Sequence, residues 1–276
     1  MEKTGIFIAL VMGAIQGIFE WLPVSSHLVI NNTISLFGES FQNNDFDSGY
    51  GFWLHLGTMI SILIVLRNDL TTSFKKISID SDKITINFYK LITIATVVSL
   101  FFGMIFFLIS DLKIINLLGI FVMGIMGGLL ISESTTKNQD FRKISDFNFL
   151  DSLLIGLVQG LAVIPGVSRS GVAIGVLVKR KLNIHSSFLL NCYLNIPLSL
   201  ASSIYMILSG RTVISYYSII SLFASFAVGS IFLFLILKVF EKFEQRKLLL
   251  FTSLLILGSC FFQVFFKKVI RFQRIF

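Results

Sequence analysis

Glu20, His27 and Arg169 are the residues of this chain best suited to chemistry, and each stands within a few residues of a proline and of serines in an apolar run. Arg169 lies in Val163-Ile-Pro-Gly-Val-Ser-Arg-Ser-Gly171. An arginine inside hydrocarbon is costly and needs a partner, so at membrane depth it marks a functional site. Pro165 and Gly166 end one helix and let a second begin, leaving backbone N–H groups unpaired at the join. Such backbone persists in a bilayer only where protein covers it or where it lines a watery cavity. Free N–H groups, the hydroxyls of Ser168 and Ser170, and a guanidinium converging on one place make a site for an anion, most naturally phosphate.

An earlier stretch has the same design. Ile15-Gln-Gly-Ile-Phe-Glu-Trp-Leu-Pro-Val-Ser-Ser-His27 can be laid beside Val158-Gln-Gly-Leu-Ala-Val-Ile-Pro-Gly-Val-Ser-Arg-Ser170. Both run from an apolar residue through Gln-Gly to a proline and a serine-containing turn. The glutamines, Gln16 and Gln159, stand a little over half the chain apart. Two interrupted apolar segments at matching places in two halves point to a binding site between repeats.

Gln16 and Glu20 are four residues apart, hence on one face of the first helix. Glu20 is a candidate ligand for a divalent metal or a candidate general base; the plainer alternative is a carboxylate that pairs with Arg169 or caps the next helix. His27, at the start of the resumed helix, is placed for proton transfer or phosphate contact. Ser25, Ser26, Ser168 and Ser170 are candidate N-caps, and a serine close to Glu20 or His27 is also a candidate nucleophile. His55, in Phe52-Trp-Leu-His-Leu-Gly-Thr58, either lines the same cavity or bonds a neighbouring helix. Lys179-Arg-Lys181 reads as a topology signal.

The elements that must hold these residues are membrane helices. Of 276 residues, 55% are hydrophobic and 14% charged, with a mean hydropathy of +0.86, which is the composition of an integral membrane protein. The formal charge of +8 comes without a basic stripe interleaved with aromatics, so no nucleic-acid partner is expected; positive loops against anionic lipid account for it. Cys192 and Cys260 fall inside apolar runs, which speaks against a disulfide framework or thiol catalysis. No cleavable signal peptide is expected, since the first apolar run leads directly into the Glu20 segment.

The pattern predicts one integral membrane domain over 1–276, all-α and polytopic. A helix over 5–19, broken at Pro23 and resumed through 37, reads as a re-entrant hairpin; a polar, acidic loop follows at 39–50. Spans are expected at 51–66, 88–109 and 114–132, given the ~20 residues a crossing needs, with polar loops at 67–90 and 133–149. A second hairpin at 150–178 precedes spans at 186–208, 213–237 and 248–266. Each half, 5–132 and 150–266, is then one hairpin plus three crossings. Three is odd, so the repeat is inverted and the two broken helices meet near the midplane. The loops at 67–90, 137–143, 179–181 and 238–247 hold 15 of the 23 Lys and Arg residues. That side is expected to be cytoplasmic, with both termini and the Glu20 hairpin facing outward.

At these residues the chain resembles the undecaprenyl-pyrophosphate phosphatase family, the bacitracin-resistance membrane phosphatases. The resemblance rests on Gln16-x-x-x-Glu20 running into Leu-Pro-Val-Ser-Ser26, on Pro-Gly-Val-Ser-Arg-Ser170, and more weakly on Leu-His-Leu-Gly-Thr58. It implies hydrolysis of a C55-type polyprenyl diphosphate to the monophosphate, with a divalent cation (Mg2+ or Ca2+), at a site open to the outer face of the plasma membrane. It implies that Glu20 is the essential carboxylate and metal ligand, and that Arg169 clamps the diphosphate. Ser26 would be the nucleophile or a hydrogen-bond partner, with Ser25, Ser168, Ser170 and Gln16 as further contacts. The expected partners are the polyprenyl diphosphate and the bilayer, with a homodimer as an open option.

Three positions depart from the family's pattern. Gln16 stands where a second glutamate is usual, which lowers the negative charge available to a metal. His27 follows Ser26 two residues sooner than in the family, a rotation of roughly 200° at ~100° per helical residue. Ala173 replaces a threonine. A transporter of a polyprenyl phosphate or another anion is the alternative, because inverted repeats of broken helices also build carriers. A membrane scaffold gives no reason to keep Glu20 and Arg169 within the bilayer.

Overall fold

The computed structural model describes residues 2–36, 49–80, 83–109, 113–136, 140–212 and 214–273. Among them the chain is all helical. In order, the α-helices are α1 (Glu2–Phe19), α2 (Ser26–Leu36), α3 (Tyr50–Val65), α4 (Arg67–Asp80), α5 (Lys83–Leu108) and α6 (Lys113–Thr135). They continue with α7 (Phe149–Gly160), α8 (Arg169–Lys179), α9 (Ile184–Leu208), α10 (Tyr216–Lys242) and α11 (Gln245–Gln273). Five helical stretches, within α5, α6, α9, α10 and α11, are long and apolar enough to cross a membrane; α3 with the start of α4 makes a sixth if that bent pair counts as one span. The protein is a multi-pass membrane protein.

Both breaks fall where proline and glycine put them. Helix α1 ends before Pro23 and α2 resumes at Ser26; α7 passes through a short 3-10 turn, Leu161–Val163, into Pro165-Gly166 before α8 starts at Arg169. The polar loop expected at 39–50 lies largely outside the described residues. The stretch 67–90, expected as a loop, is helical over Arg67–Asp80, and α5 starts at Lys83. Polarity there reflects the surroundings and not a loss of helix. No glycine or proline occurs between Gly57 and Gly103, Leu70 N–H bonds Leu66 O at 3.0 Å across the join, and Asp69 in the first turn suits the positive end of the helix. The chain accordingly bends by 70° after α3 and does not uncoil.

Packing is reciprocal between the halves. Helix α1 lies on α10, and α7 lies on α5. In each pair the contact is a Gly-x-x-x-Gly face flanking the repeated glutamine. A Cβ on Gly13 would strike the backbone of Ser221, and one on Gly17 would sit 2.7 Å from Gly229 N. A Cβ on Gly156 would sit 2.6 Å from Ala95 O, and one on Gly160 would sit 2.9 Å from Phe102 Cβ. Glycine is required at these places because helix backbones approach one another, the usual way that membrane helices pack closely. The core between them holds Trp21, Met123, Ile164, Val167, Val172, Phe188 and Leu233, all buried.

Candidate active site where the two broken helices meet

The first break carries Glu20. Its N–H still bonds Gln16 O at 3.0 Å, so the carboxylate keeps the helical register of α1 and projects beside Gln16. Trp21 fixes the turn by donating Nε1–H to Gly229 O at 3.0 Å. Ser25 Oγ accepts a long bond of 3.4 Å from Leu28 N at the start of α2. Ser26 is buried.

The second break carries Arg169. Gly166 has φ +91, where any side chain is strained, and a Cβ there would also strike the side-chain amide of Gln263. Gln263 Nε2, from α11, donates to Gly166 O at 2.6 Å. Ser168 caps α8, its Oγ accepting from Gly171 N at 3.2 Å. Ser170 ties the two breaks together: its Oγ donates to Leu22 O at 2.8 Å and lies 3.1 Å from Ser168 Oγ.

Across this seam the opposite charges meet. Arg169 Nη2 donates to Glu20 Oε1 at 3.0 Å, with side chains 18% and 6% exposed. Asn195 Nδ2 donates to the same oxygen at 2.8 Å. Gln16 Nε2 donates to Glu20 Oε2 at 2.7 Å, and His55 Nδ1 lies 2.9 Å from that oxygen. The His55 nitrogen is also 2.7 Å from Gln16 Nε2 and 3.1 Å from Arg169 Nη2. It has one proton or one lone pair there, so it either donates to Glu20 or accepts from Gln16 and Arg169. Ser199 closes a ring: its Oγ donates to Asn195 Oδ1 at 2.7 Å and receives a 3.5 Å contact from Arg169 Nη1.

The structure therefore brings Gln16, Glu20 and Arg169 into one hydrogen-bonded cluster and adds His55 from α3, while Ser168 and Ser170 flank Arg169 on the second break and bond each other, Gly171 N and Leu22 O. His27 lies alongside, its ring 4.7 Å from that of Phe52 and filling the space that a side chain at position 51 would need. It is within electrostatic reach of His55, Arg169 and Glu20 but makes no hydrogen bond among the described residues. Asn195 and Ser199 were not read from the sequence. Their signal is slight: an amide and a hydroxyl four apart, hence on one helix face, on either side of Pro197 within apolar α9.

A second polar cluster surrounds the end of α8. Asp151, whose side chain is fully buried, accepts from Arg142 Nη2 at 2.9 Å and pairs with Arg180 Nε. Glu133 Oε1 lies 3.3 Å from Lys179 Nζ and Glu133 Oε2 lies 3.0 Å from Lys181 Nζ. All three residues of Lys179-Arg-Lys181 are thus ion-paired and bind α8 to α6 and α7, besides any part they have in topology.

Chemically, the first cluster sets hydrogen-bond donors suited to an anion beside a carboxylate. The Arg169 guanidinium and the N-terminus of α8 offer donors to phosphate, Ser168 and Ser170 stand at that terminus with the Ser170 proton given to Leu22 O, and Glu20 offers a basic oxygen pair. A metal would find Glu20, the oxygens of Gln16 and Asn195, and the His55 ring nitrogen; among the described residues no group of three or more His, Cys, Asp or Glu side chains is placed to hold one.

Fold and site define a polytopic helical membrane protein with an arginine–carboxylate pair joining two helix breaks. The model of the Bacitracin resistance protein BacA family matches residues 9–260, and the chain belongs to that family. Relatives named undecaprenyl-diphosphatase are similar over most of its length. One from Methanococcoides burtonii is 28% identical over 250 residues, 86% of this chain and 91% of the relative. One from Methanococcus maripaludis strain C6 is 29% identical over 264 residues, 93% of this chain and 98% of the relative. One from Thermosipho melanesiensis is 31% identical over 238 residues, 83% of this chain and 88% of the relative.

Proposed function

We propose that this protein hydrolyses an undecaprenyl or similar polyprenyl diphosphate to the monophosphate and inorganic phosphate, returning the lipid carrier to cell-envelope glycan synthesis. The observation that carries the reading is the 3.0 Å contact of Glu20 with Arg169, residues far apart in sequence on two separate helix breaks. Family membership supports a phosphatase, and the relatives' name supports this substrate.

In this reading Arg169, the N-terminus of α8 and the serines Ser168 and Ser170 bind the terminal phosphoryl group and offset the charge that grows on it. Glu20 takes the proton from the attacking oxygen, that of water or of Ser26. The bond from the terminal phosphorus to the bridging oxygen breaks, leaving lipid monophosphate. Attack by water gives inorganic phosphate at once, while attack by Ser26 gives a phosphoserine that water then hydrolyses to inorganic phosphate and free Ser26. His27 moves protons between the site and water. Gln16, His55, Asn195 and Ser199 hold Glu20 and Arg169 in register, and Ser25 contacts the substrate from the first break.

The inverted repeat is part of the proposal, supported by the exchange of partners in which α1 packs on α10 and α7 on α5. So is a plasma-membrane setting with the site and both termini facing outward, supported by the distribution of Lys and Arg. The carrier reading draws on Gln16, where an amide stands beside Glu20 and leaves the cluster a single carboxylate.

Phosphate release from C55 polyprenyl diphosphate by the purified full chain tests the reading. Release by wild type, lost in Glu20→Gln, is expected. A folded wild type that binds the lipid without releasing phosphate, and moves labelled polyprenyl phosphate across vesicles, would turn the conclusion to a carrier.

A further inference from the structure

We propose that Arg169 holds the cation position of the substrate-free site, so that a divalent ion is admitted to Glu20 only when a diphosphate has drawn the guanidinium away. The inference rests on the phosphatase reading for its biological meaning but not for its test. Among the described residues Glu20 is the only carboxylate of the cluster, and both of its oxygens accept hydrogen bonds. Oε1 accepts from Arg169 and Asn195, while Oε2 accepts from Gln16 and faces His55 Nδ1. The two donors to Oε1 and the Gln16 donor to Oε2 occupy lone pairs that a metal would need. A divalent ion placed there would also stand within a few ångströms of the guanidinium in a buried setting, where like charges repel strongly.

Two further observations point to exchange. Arg169 has the most exposed side chain of the ion-paired cluster, 18% against 6% for Glu20 and 10% for His55, and its contact with Ser199, at 3.5 Å, is the loosest in the ring. Gln16 is fully buried, yet its Oε1 has no hydrogen-bond partner. A buried amide oxygen without a donor is costly, and a hard cation is a partner that suits it. A diphosphate offers Arg169 two acceptor oxygens in the geometry that a guanidinium prefers. Once the guanidinium turns to it, a lone pair of Glu20 Oε1 is released while Asn195 keeps the other, Gln16 Oε1 is still without a donor, and the phosphate adds oxygens of its own. Binding of the two is then positively coupled in both directions.

The test is Mn2+ binding, followed by electron paramagnetic resonance, to the purified full chain with no lipid present. Wild type should bind weakly. Arg169→Ala should bind about ten- to hundredfold tighter, the value of a charge-assisted hydrogen bond removed from competition. Adding Glu20→Gln to Arg169→Ala should abolish that gain, and Arg169→Lys, which keeps the competing charge, should stay weak. Mn2+ binding wild type as tightly as Arg169→Ala, or a gain that survives Glu20→Gln, would overturn the proposal. Because this readout needs no turnover, a failure of the phosphatase reading would appear separately, as absent phosphate release.

Discussion

Asn195→Ala isolates one contact of the cluster from the charges themselves. Asn195 is buried and spends its amide on two bonds, donating to Glu20 Oε1 at 2.8 Å and accepting from Ser199 at 2.7 Å. After truncation Ser199 can return its proton to a backbone carbonyl one turn earlier, as helical serines do, so the uncompensated loss falls on Glu20. A hydrogen bond to a charged group contributes about 1.5–3 kcal/mol. Arg169 still holds the same oxygen, which places the effect near the lower end, about 1.5–2 kcal/mol, or roughly ten- to thirtyfold in kcat. KM for the lipid diphosphate should change by less than about threefold, since Arg169 and the α8 terminus remain to bind it. Steady-state phosphate release gives both constants, and thermal unfolding in the same detergent shows that the variant is folded. Ser199→Ala, which removes only the 3.5 Å contact to Arg169 and the support of Asn195, should fall less than threefold. A folded Asn195→Ala with kcat within twofold of wild type would refute the view that α9 positions Glu20.

Other expectations follow from single contacts. Ser170→Ala cuts the bond to Leu22 O that joins the two breaks; a loss of about 1 kcal/mol should appear as roughly a fivefold fall in phosphate release with an intact fold. Gly17→Leu and Gly160→Leu should each force a pair of helix backbones apart and destabilise by about 1–3 kcal/mol or more, read as lower thermal midpoints for both halves alike. Asp151→Ala removes the buried member of the second cluster. Because Arg142 and Arg180 are partly exposed and solvent can take them up, the cost should be nearer about 2 kcal/mol than the larger figures for a stranded buried charge, measured as unfolding temperature with kcat of the residual folded protein unchanged.

Pro23 and Pro165-Gly166 made the two helix breaks legible, because proline removes a donor and collides with the preceding turn wherever it falls. The repeated Gln-Gly before each proline made their likeness legible too, while the glycine faces around it took on meaning as backbone contacts only with α5 and α10 in place. That Glu20 and Arg169 meet was among the alternatives that the charges allowed, and geometry brings Gln16 and His55 into the same contact. Asn195 and Ser199 were hidden because a helix face in a long apolar run has no motif; only the packing of α9 against α3 and α8 shows which face looks inward. Helix α4 was hidden for the opposite reason. Hydropathy reports the medium, and a polar segment with no breaker stays helical outside the apolar core.

The most direct measurement of the central claim, that the two breaks form one diphosphate site, is phosphate release from C55 polyprenyl diphosphate by Glu20→Gln, Arg169→Ala and the double variant. Groups acting as a unit are strongly non-additive. The double variant should be scarcely slower than the worse of the two single variants. Losses that multiply, as for independent residues, or a Glu20→Gln variant with wild-type release, would contradict it.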